Sequence, residues 1–322
     1  MTDRPRSGPV VGIDLGATKV VSIVFDDGQG VVARTDHRLY PGEARAAVMR
    51  AVLESTLEAV DATSRRPVRV GVGVAAQVDS RRGVVLHSPN LGWRDVPLSR
   101  WLERHLGIPT VLINDARAAT LAEWKLGAGR GCSDLVCLMI GTGIGASAVV
   151  GGSLWSGAWN AAGEVGHLTV VSGGRRCTCP NRGCLEAYAG GWAIAARARE
   201  EVRKSPRAGR WLLRSAGSIR AITARTVFDG YRANDPLSRA IVRSTETYLA
   251  DGAVSVANAF NPARLIIGGG IAEGLPHLIG LLRQAVKTRC QPPAARAKVC
   301  ASELGRDTVA IGAALAAQEA LR

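Results

Sequence analysis

Two hydrophobic rhythms run through the chain. Val10 to Asp14, Val20 to Phe25, Val68 to Val74, Pro109 to Ile113, Asp134 to Ile140, Ser147 to Val150 and Arg264 to Ile267 are short apolar runs, all but Val68 to Val74 ending at Gly, Asn or Asp. Runs of this kind predict strands buried on both faces, and Val31 to Arg38 predicts one more. Between them, apolar residues recur at helical spacing in Glu43 to Thr63, Leu98 to His105, Ala116 to Leu126, Ala193 to Lys204, Leu237 to Phe260 and Thr308 to Leu321. Strands alternating with helices predict an α/β fold. Ser88 to Trp93 is too rich in turn formers for regular structure, and Ser205 to Thr223, mixing Pro, Gly and Arg, is expected to be the most flexible stretch.

One local pattern occurs twice. Asp14-Leu15-Gly16-Ala17-Thr18-Lys19 separates the first two runs, and Gly141-Thr142-Gly143-Ile144-Gly145-Ala146 separates another pair. A strand, a Gly/Thr turn and a second strand present backbone N–H groups and a hydroxyl at the turn, as a phosphate cradle requires. Either turn alone is a weak signal, since many hairpins carry Gly and Thr. The pair predicts a duplicated architecture with two phosphate-contacting loops facing each other across a cleft. Asp14 and Asp115 both fall at the carboxyl ends of predicted strands, where open α/β sheets bind ligands. Asp115 is also placed at or near the N-cap of the next helix, so capping is its alternative role. Asn90 is a candidate polar contact or a turn cap, and Gly268-Gly269-Gly270 permits close approach of backbone to a flat ligand.

Composition narrows the possibilities. The 322 residues have room for two domains, and 47% hydrophobic residues with only 4% aromatic predict cores of Val, Leu, Ile and Ala. No apolar run is long enough to span a bilayer, and Met1 to Pro9 is short, polar and basic, so a cytoplasmic protein is expected. The net charge of +14 would suit a nucleic-acid partner, but only five of the 41 basic residues are lysine and the arginines are scattered. The densest patch, Arg197 to Arg225, reads as a solvated helical face, and a basic surface also attracts anionic small molecules.

The densest chemistry lies between Asn160 and Glu186. His167, Cys177, Cys179 and Cys184 are spaced His-x9-Cys-x-Cys-x4-Cys, one imidazole and three sulfurs suited to a closed tetrahedral zinc site. Buried thiols with a satisfied core histidine, or a disulfide, are the alternatives. Gly173-Gly174, Pro180-Asn181 and Arg182-Gly183 supply sharp bends. Glu164 and Glu186 flank the ligands, so a bound ion would bring two carboxylates near each other.

Taken together, these motifs resemble the ROK family of sugar kinases and repressors, within the actin-like, ribonuclease-H-like phosphotransferases. The resemblance rests on Asp14 to Lys19, Asn90, Asn114-Asp115, Gly141 to Gly145, Glu164-Val165-Gly166-His167, the Cys177 to Glu186 knuckle and Gly268 to Gly270. It implies two actin-like α/β domains with a cleft between them and a zinc knuckle in the larger: residues 1–114 completed by 308–322, and residues 115–307. It implies phosphorylation of a hexose, most readily glucose, by ATP with magnesium, and a homodimer or higher homo-oligomer. Asp115 looks like the catalytic base. Asn90, Asn114, Glu164, His167 and Glu186 look like hydroxyl-binding groups, with His167 using one nitrogen for zinc and the other toward the sugar. Asp14, Gly16, Thr18, Lys19, Gly141, Thr142, Gly143, Gly269 and Gly270 look like nucleotide contacts, Asp14 serving magnesium or its waters.

Ala17, Ala146, Arg117 and Pro180 depart from the family's usual pattern. The two alanines matter if the turns need positive φ, which alanine disfavours. A sugar-binding scaffold without turnover would follow if they spoiled nucleotide binding. A sugar-sensing repressor is the other alternative, and the thirteen residues before Asp14 are too few for a winged helix-turn-helix.

Overall fold

The structure, a computed structural model, describes residues 8–40 and 42–320. Most of the Met1 to Pro9 segment and Leu321, the last residue of the expected C-terminal helix, lie outside the described residues. The chain divides into two compact units, one of Met1–Gly131, Ser153–Ala162 and Glu303–Arg322, the other of Cys132–Gly152 and Gly163–Ser302.

The first unit is built on a sheet of order Gly30–Arg38, Lys19–Asp26, Val10–Leu15, Val70–Val74, Thr110–Asn114. The first three strands are antiparallel neighbours and the last three are parallel. Val11, Ile13, Leu15, Val70, Val72 and Val74 pack into a core on one face. Val10, Val21 and Ile23 pack with Leu121, Ala310 and Ala314 in a second core. Burial on both sides is why these strands read as continuous apolar runs.

The Ala-rich helix Thr308–Glu319 reaches this sheet at backbone contact. A Cβ at Gly12 would lie 2.0 Å from the Ala310 carbonyl oxygen, one at Gly71 1.8 Å from that of Ala313, and one at Gly312 1.7 Å from that of Ala118. Small residues on both sides are therefore obligatory, and the helix needs alanines instead of a stripe of large side chains.

The division differs from the boundary read in the sequence, because the helix Asp115–Lys125 belongs with the first unit. Two contacts explain this. Ala118 meets Gly312, and the fully buried Glu123 accepts N–H bonds from Ala128 at 2.9 Å, Glu303 at 3.1 Å and Leu304 at 3.0 Å. A buried carboxylate is stable only with such donors. Nothing in the hydrophobic pattern distinguishes Glu123 from an exposed helix residue.

A small antiparallel sheet, Gln77–Asp79, Val84–Ser88 and Trp93–Val96, also belongs to this unit. Ser88 pairs with Trp93, and Gly92, at φ +64°, donates to the Pro89 carbonyl at 3.3 Å. The stretch expected to be irregular is thus a tight hairpin turn between two strands.

The second unit repeats the scheme. Its strands run Ile144–Val150, Leu135–Ile140, Arg264–Gly268, Lys298–Ala301, an antiparallel hairpin followed by two parallel neighbours. The helices Gly191–Lys204, Ala224–Arg232, Pro236–Phe260 and Leu278–Arg289 contribute to its core. Ser205 to Thr223 contains the helix Arg210–Ala216, with Leu212 fully buried and Ile222 behind it. Its Pro, Gly and Arg composition concealed these two anchors. Among the described residues no helix is long and apolar enough to cross a membrane.

Candidate active site

In the first unit, the strand Thr110–Asn114 passes directly into the helix Asp115–Lys125. Asn114 keeps extended dihedrals (φ −64°, ψ 145°) and its Oδ1 accepts the Arg117 N–H at 3.1 Å, which makes Asn114 the N-cap. Asp115, expected at or near the cap, is the residue immediately after it. Asn114 Nδ2 donates to the Ala76 carbonyl at 3.2 Å and to Asp115 Oδ1 at 3.0 Å, and the Ala116 N–H reaches the same Oδ1 at 2.9 Å. Asp115 therefore occupies the first helical turn, where the helix dipole favours its charge, and Asn114 fixes its orientation.

Asp14, next to last in its strand, lies in a different environment. Burial pushes its pKa up to about 6, against the lowering effect of Lys19, whose Nζ lies 3.9 Å away, and with a further upward push from Asp307. The turn after it is closed by the Gly16 N–H donating to the Lys19 carbonyl at 3.1 Å, and the Thr18 carbonyl accepts the Leu39 N–H at 2.8 Å. Neither Ala17 nor Ala146 adopts positive φ. The alanines are thus accommodated without strain, and Ala146 lies within a strand. Asn90 lines a cleft of about 730 Å³ together with Ala17, Glu43, Arg45 and Trp93.

Arg117 and Asn160 form a contact that sequence reasoning missed. The Arg117 guanidinium donates to Asn160 Oδ1, Asn160 Nδ2 donates to the Val78 carbonyl at 2.9 Å, and Asn160 takes φ +58°. Burial holds Arg117 below the usual arginine range, and its Nε has no partner. The available signal was residue type, since Asn tolerates left-handed backbone better than most.

In the second unit, the ligand atoms of His167, Cys177, Cys179 and Cys184 all lie within 4.8 Å of one another. His167 Nδ1 is 3.6 Å from Cys177 Sγ, and Cys179 and Cys184 have their sulfurs 3.6 Å apart. Burial raises the Cys177 thiol and pushes Cys184 up to about 12. Such thiols are stable as thiolates beside a divalent cation, and one nitrogen with three sulfurs fits tetrahedral zinc. The other ring nitrogen, Nε2, is 4.0 Å from the Glu164 carboxylate. Burial raises the Glu164 pKa, His167 lowers it, and Glu186 raises it further.

Glu186 is buried, and its carboxylate accepts from the Ile144 N–H at 2.8 Å, Trp192 Nε1 at 3.1 Å and the Thr178 hydroxyl at 3.3 Å. Sequence reasoning did not anticipate Trp192 or Thr178 as its partners. Within the Gly141–Ile144 turn, the Gly141 N–H donates to the Gly143 carbonyl at 2.9 Å. In the glycine run, a Cβ at Gly269 (φ +90°) would lie 2.5 Å from the Ile140 carbonyl oxygen, and one at Gly268 would lie 2.8 Å from the Met139 sulfur. Protein packing by itself requires both positions to lack a side chain, whereas Gly270 faces open space.

The duplicated sheet and its paired Gly/Thr turns define an α/β protein of the actin-like, ribonuclease-H-like class. Residues 10–320 match the ROK family, and the chain belongs to it. It is 34% identical over 308 residues to a protein named glucokinase from Thermotoga maritima, covering 95% of this chain and 96% of that one. It is 30% identical to the crystal structure of a ROK family glucokinase from Streptomyces griseus in complex with glucose and AMPPNP. That match has a TM-score of 0.85 and covers 97% of this chain and 100% of the other. The family also holds repressors, and a putative xylose repressor from a Caldicellulosiruptor species is 30% identical over 269 residues, 81% of this chain and 65% of its own length.

Proposed function

We propose that the protein is an ATP-dependent hexose kinase that converts glucose to glucose 6-phosphate, with Asp115 as general base. The observation that carries this reading is Asp115 itself, an acid set at the junction of a strand and a helix and oriented by Asn114 instead of serving as the cap. Similarity to glucokinases over nearly the whole chain supports the same reaction.

In the proposed step, Asp115 takes the proton of the sugar's 6-hydroxyl as that oxygen bonds to the γ-phosphorus. The bond from phosphorus to the β,γ-bridging oxygen breaks, and ADP leaves with its electron pair. Asn114, Glu164, His167 and Glu186 are assigned to sugar hydroxyls, and Asn90 to an accessory contact. The Asp14 to Lys19 and Gly141 to Gly143 turns are assigned to phosphates. Asp14 would hold magnesium or its waters, and that ion supplies charge neutralisation on the phosphate oxygens. His167, Cys177, Cys179 and Cys184 would hold zinc in a structural role.

ADP release and sugar phosphate formation, measured across glucose, mannose and N-acetylhexosamines with and without magnesium, test the proposal. Magnesium-dependent turnover with the highest kcat/KM on glucose is the expected result. Preference for another hexose would revise the substrate, and sugar binding without turnover on any of them would overturn the reading.

A further inference from the structure

The basic residues between Arg197 and Arg225 fall into two groups. Arg197 donates to the Tyr188 carbonyl at 2.8 Å, Arg199 donates to the Ile222 carbonyl at 2.7 Å, and Lys204 pairs with Glu201 at 2.7 Å. Arg207, Arg210 and Arg214 are exposed, and among the described residues none of these three guanidinium groups has a hydrogen-bonding or ionic partner. Arg210 and Arg214 stand one turn apart on the helix Arg210–Ala216, a spacing at which like charges repel. An anion placed among the three would relieve that repulsion.

The three arginines line a cleft of about 860 Å³ together with Trp211 and Asp235, a volume typical of small-molecule sites. Its walls are fixed. A Cβ at Gly209 would lie 2.4 Å from Val202 Cγ2, and one at Gly230 would lie 2.9 Å from the Trp211 ring, so the helix that carries Arg210 and Arg214 is seated directly on its neighbours. Leu212 anchors the same helix and is fully buried. Asp235, the one acid in the lining, is committed elsewhere: its Oδ2 accepts the Ser238 N–H at 2.9 Å and the Ser238 hydroxyl at 2.7 Å, which caps the helix Pro236–Phe260. The cleft begins at Ser205, just past the end of the helix Gly191–Lys204, whose first residue contacts the Gly/Thr turn through Gly191 N–H to the Gly141 carbonyl at 3.0 Å. Fourteen residues of helix, about 20 Å, therefore separate the cleft from that turn.

We infer that this cleft is a second ligand site, distinct from the turns assigned to phosphates, and that it takes a small phosphorylated metabolite carrying a ring. Guanidinium groups pair with phosphate oxygens two at a time, and an indole held in the lining stacks on a sugar or base ring. The concave shape suits a small molecule, whereas a nucleic-acid strand requires a basic groove that tracks its backbone. The inference does not rest on the kinase reading, because no residue assigned to that reaction takes part.

The test is calorimetric titration of the full chain with ribose 5-phosphate and with adenosine monophosphate, using ribose and adenosine as uncharged controls. Saturating glucose and a non-hydrolysable ATP analogue are present throughout, so that the proposed active site is occupied. One phosphorylated probe or both are expected to bind once per chain and at least about tenfold more tightly than the matching control. Binding of the first alone would assign the site to sugar phosphates, and binding of the second alone to nucleotides. Arg210→Ala/Arg214→Ala is expected to weaken that binding about tenfold or more, while its Tm is no lower than that of the wild type and its turnover without probe is unchanged. Failure of both phosphorylated probes to bind would overturn the inference, as would binding that the double variant retains in full or that the controls match. A single-stranded oligonucleotide that binds where neither probe does would assign the arginines to nucleic acid and overturn it as well.

Discussion

His167 presents Nδ1 to Cys177 Sγ at 3.6 Å and Nε2 to the Glu164 carboxylate at 4.0 Å. One imidazole therefore stands between the thiol cluster and an acid assigned to the sugar. A metal bound by Nδ1 would fix the tautomer and the ring plane, and through them the proton on Nε2. Protein purified without chelator is expected to contain one zinc per chain. Structural zinc is worth on the order of 10 kcal/mol in small sites, so Cys179→Ser is expected to lose the metal and the order of the knuckle. Elemental analysis of the wild type checks this, and a metal-free, fully active protein would refute it.

Asp14 makes folding stability depend on pH in a direction opposite to that of a salt-bridged acid. Its pKa of about 6 in the folded chain lies above the ordinary aspartate value of 3.8. The folded state therefore binds its proton more tightly, and this stabilisation is complete below about pH 4 and lost as pH rises through 6. The shift corresponds to roughly 2 to 3 kcal/mol. Asp14→Asn is neutral at every pH, so its Tm relative to wild type is expected to climb between pH 4 and 6 and then level off. A difference in Tm that is flat with pH would contradict the burial argument.

Asn114 has two separable jobs. Asn114→Ala removes the helix cap and the donor to Asp115, and capping alone predicts a loss of about 1 kcal/mol. Asn114→Asp keeps a capping oxygen but sets a second carboxylate against Asp115. Its stability at neutral pH should be closer to wild type than that of Asn114→Ala, while the acid limb of its kcat profile moves to higher pH, because like charges raise each other's pKa. Chemical denaturation together with a pH–rate profile on both variants distinguishes the two jobs.

Much of this was legible in the sequence because it rests on local pattern. Both hairpins with Gly/Thr turns, the parallel strand before Asp115 and the spacing of His167 with the three cysteines follow from apolar runs and residue type. The chain boundaries of the first unit were hidden because they depend on contacts far apart in sequence, Gly312 against Ala118 and Glu123 with the N–H groups of Glu303 and Leu304. Which of Asn114 and Asp115 is the cap was left open because Asn and Asp cap about equally well, and only the backbone dihedrals separate them. Burial of Glu186 against Ile144, Thr178 and Trp192 had no one-dimensional signal, since an exposed and a buried glutamate have the same residue type.

The central claim is that Asp115 is a base, and Asp115→Asn tests it most directly. The amide retains an oxygen to accept from Asn114 and Ala116, and Asn114 remains the cap, so folding and sugar binding are expected to persist. Steady-state turnover with glucose and ATP should show kcat reduced by about 10² to 10⁴-fold, equivalent to roughly 3 to 5 kcal/mol of barrier, with a much smaller change in KM. A variant that keeps more than about a tenth of the wild-type kcat, above what loss of a general base permits, would contradict the account.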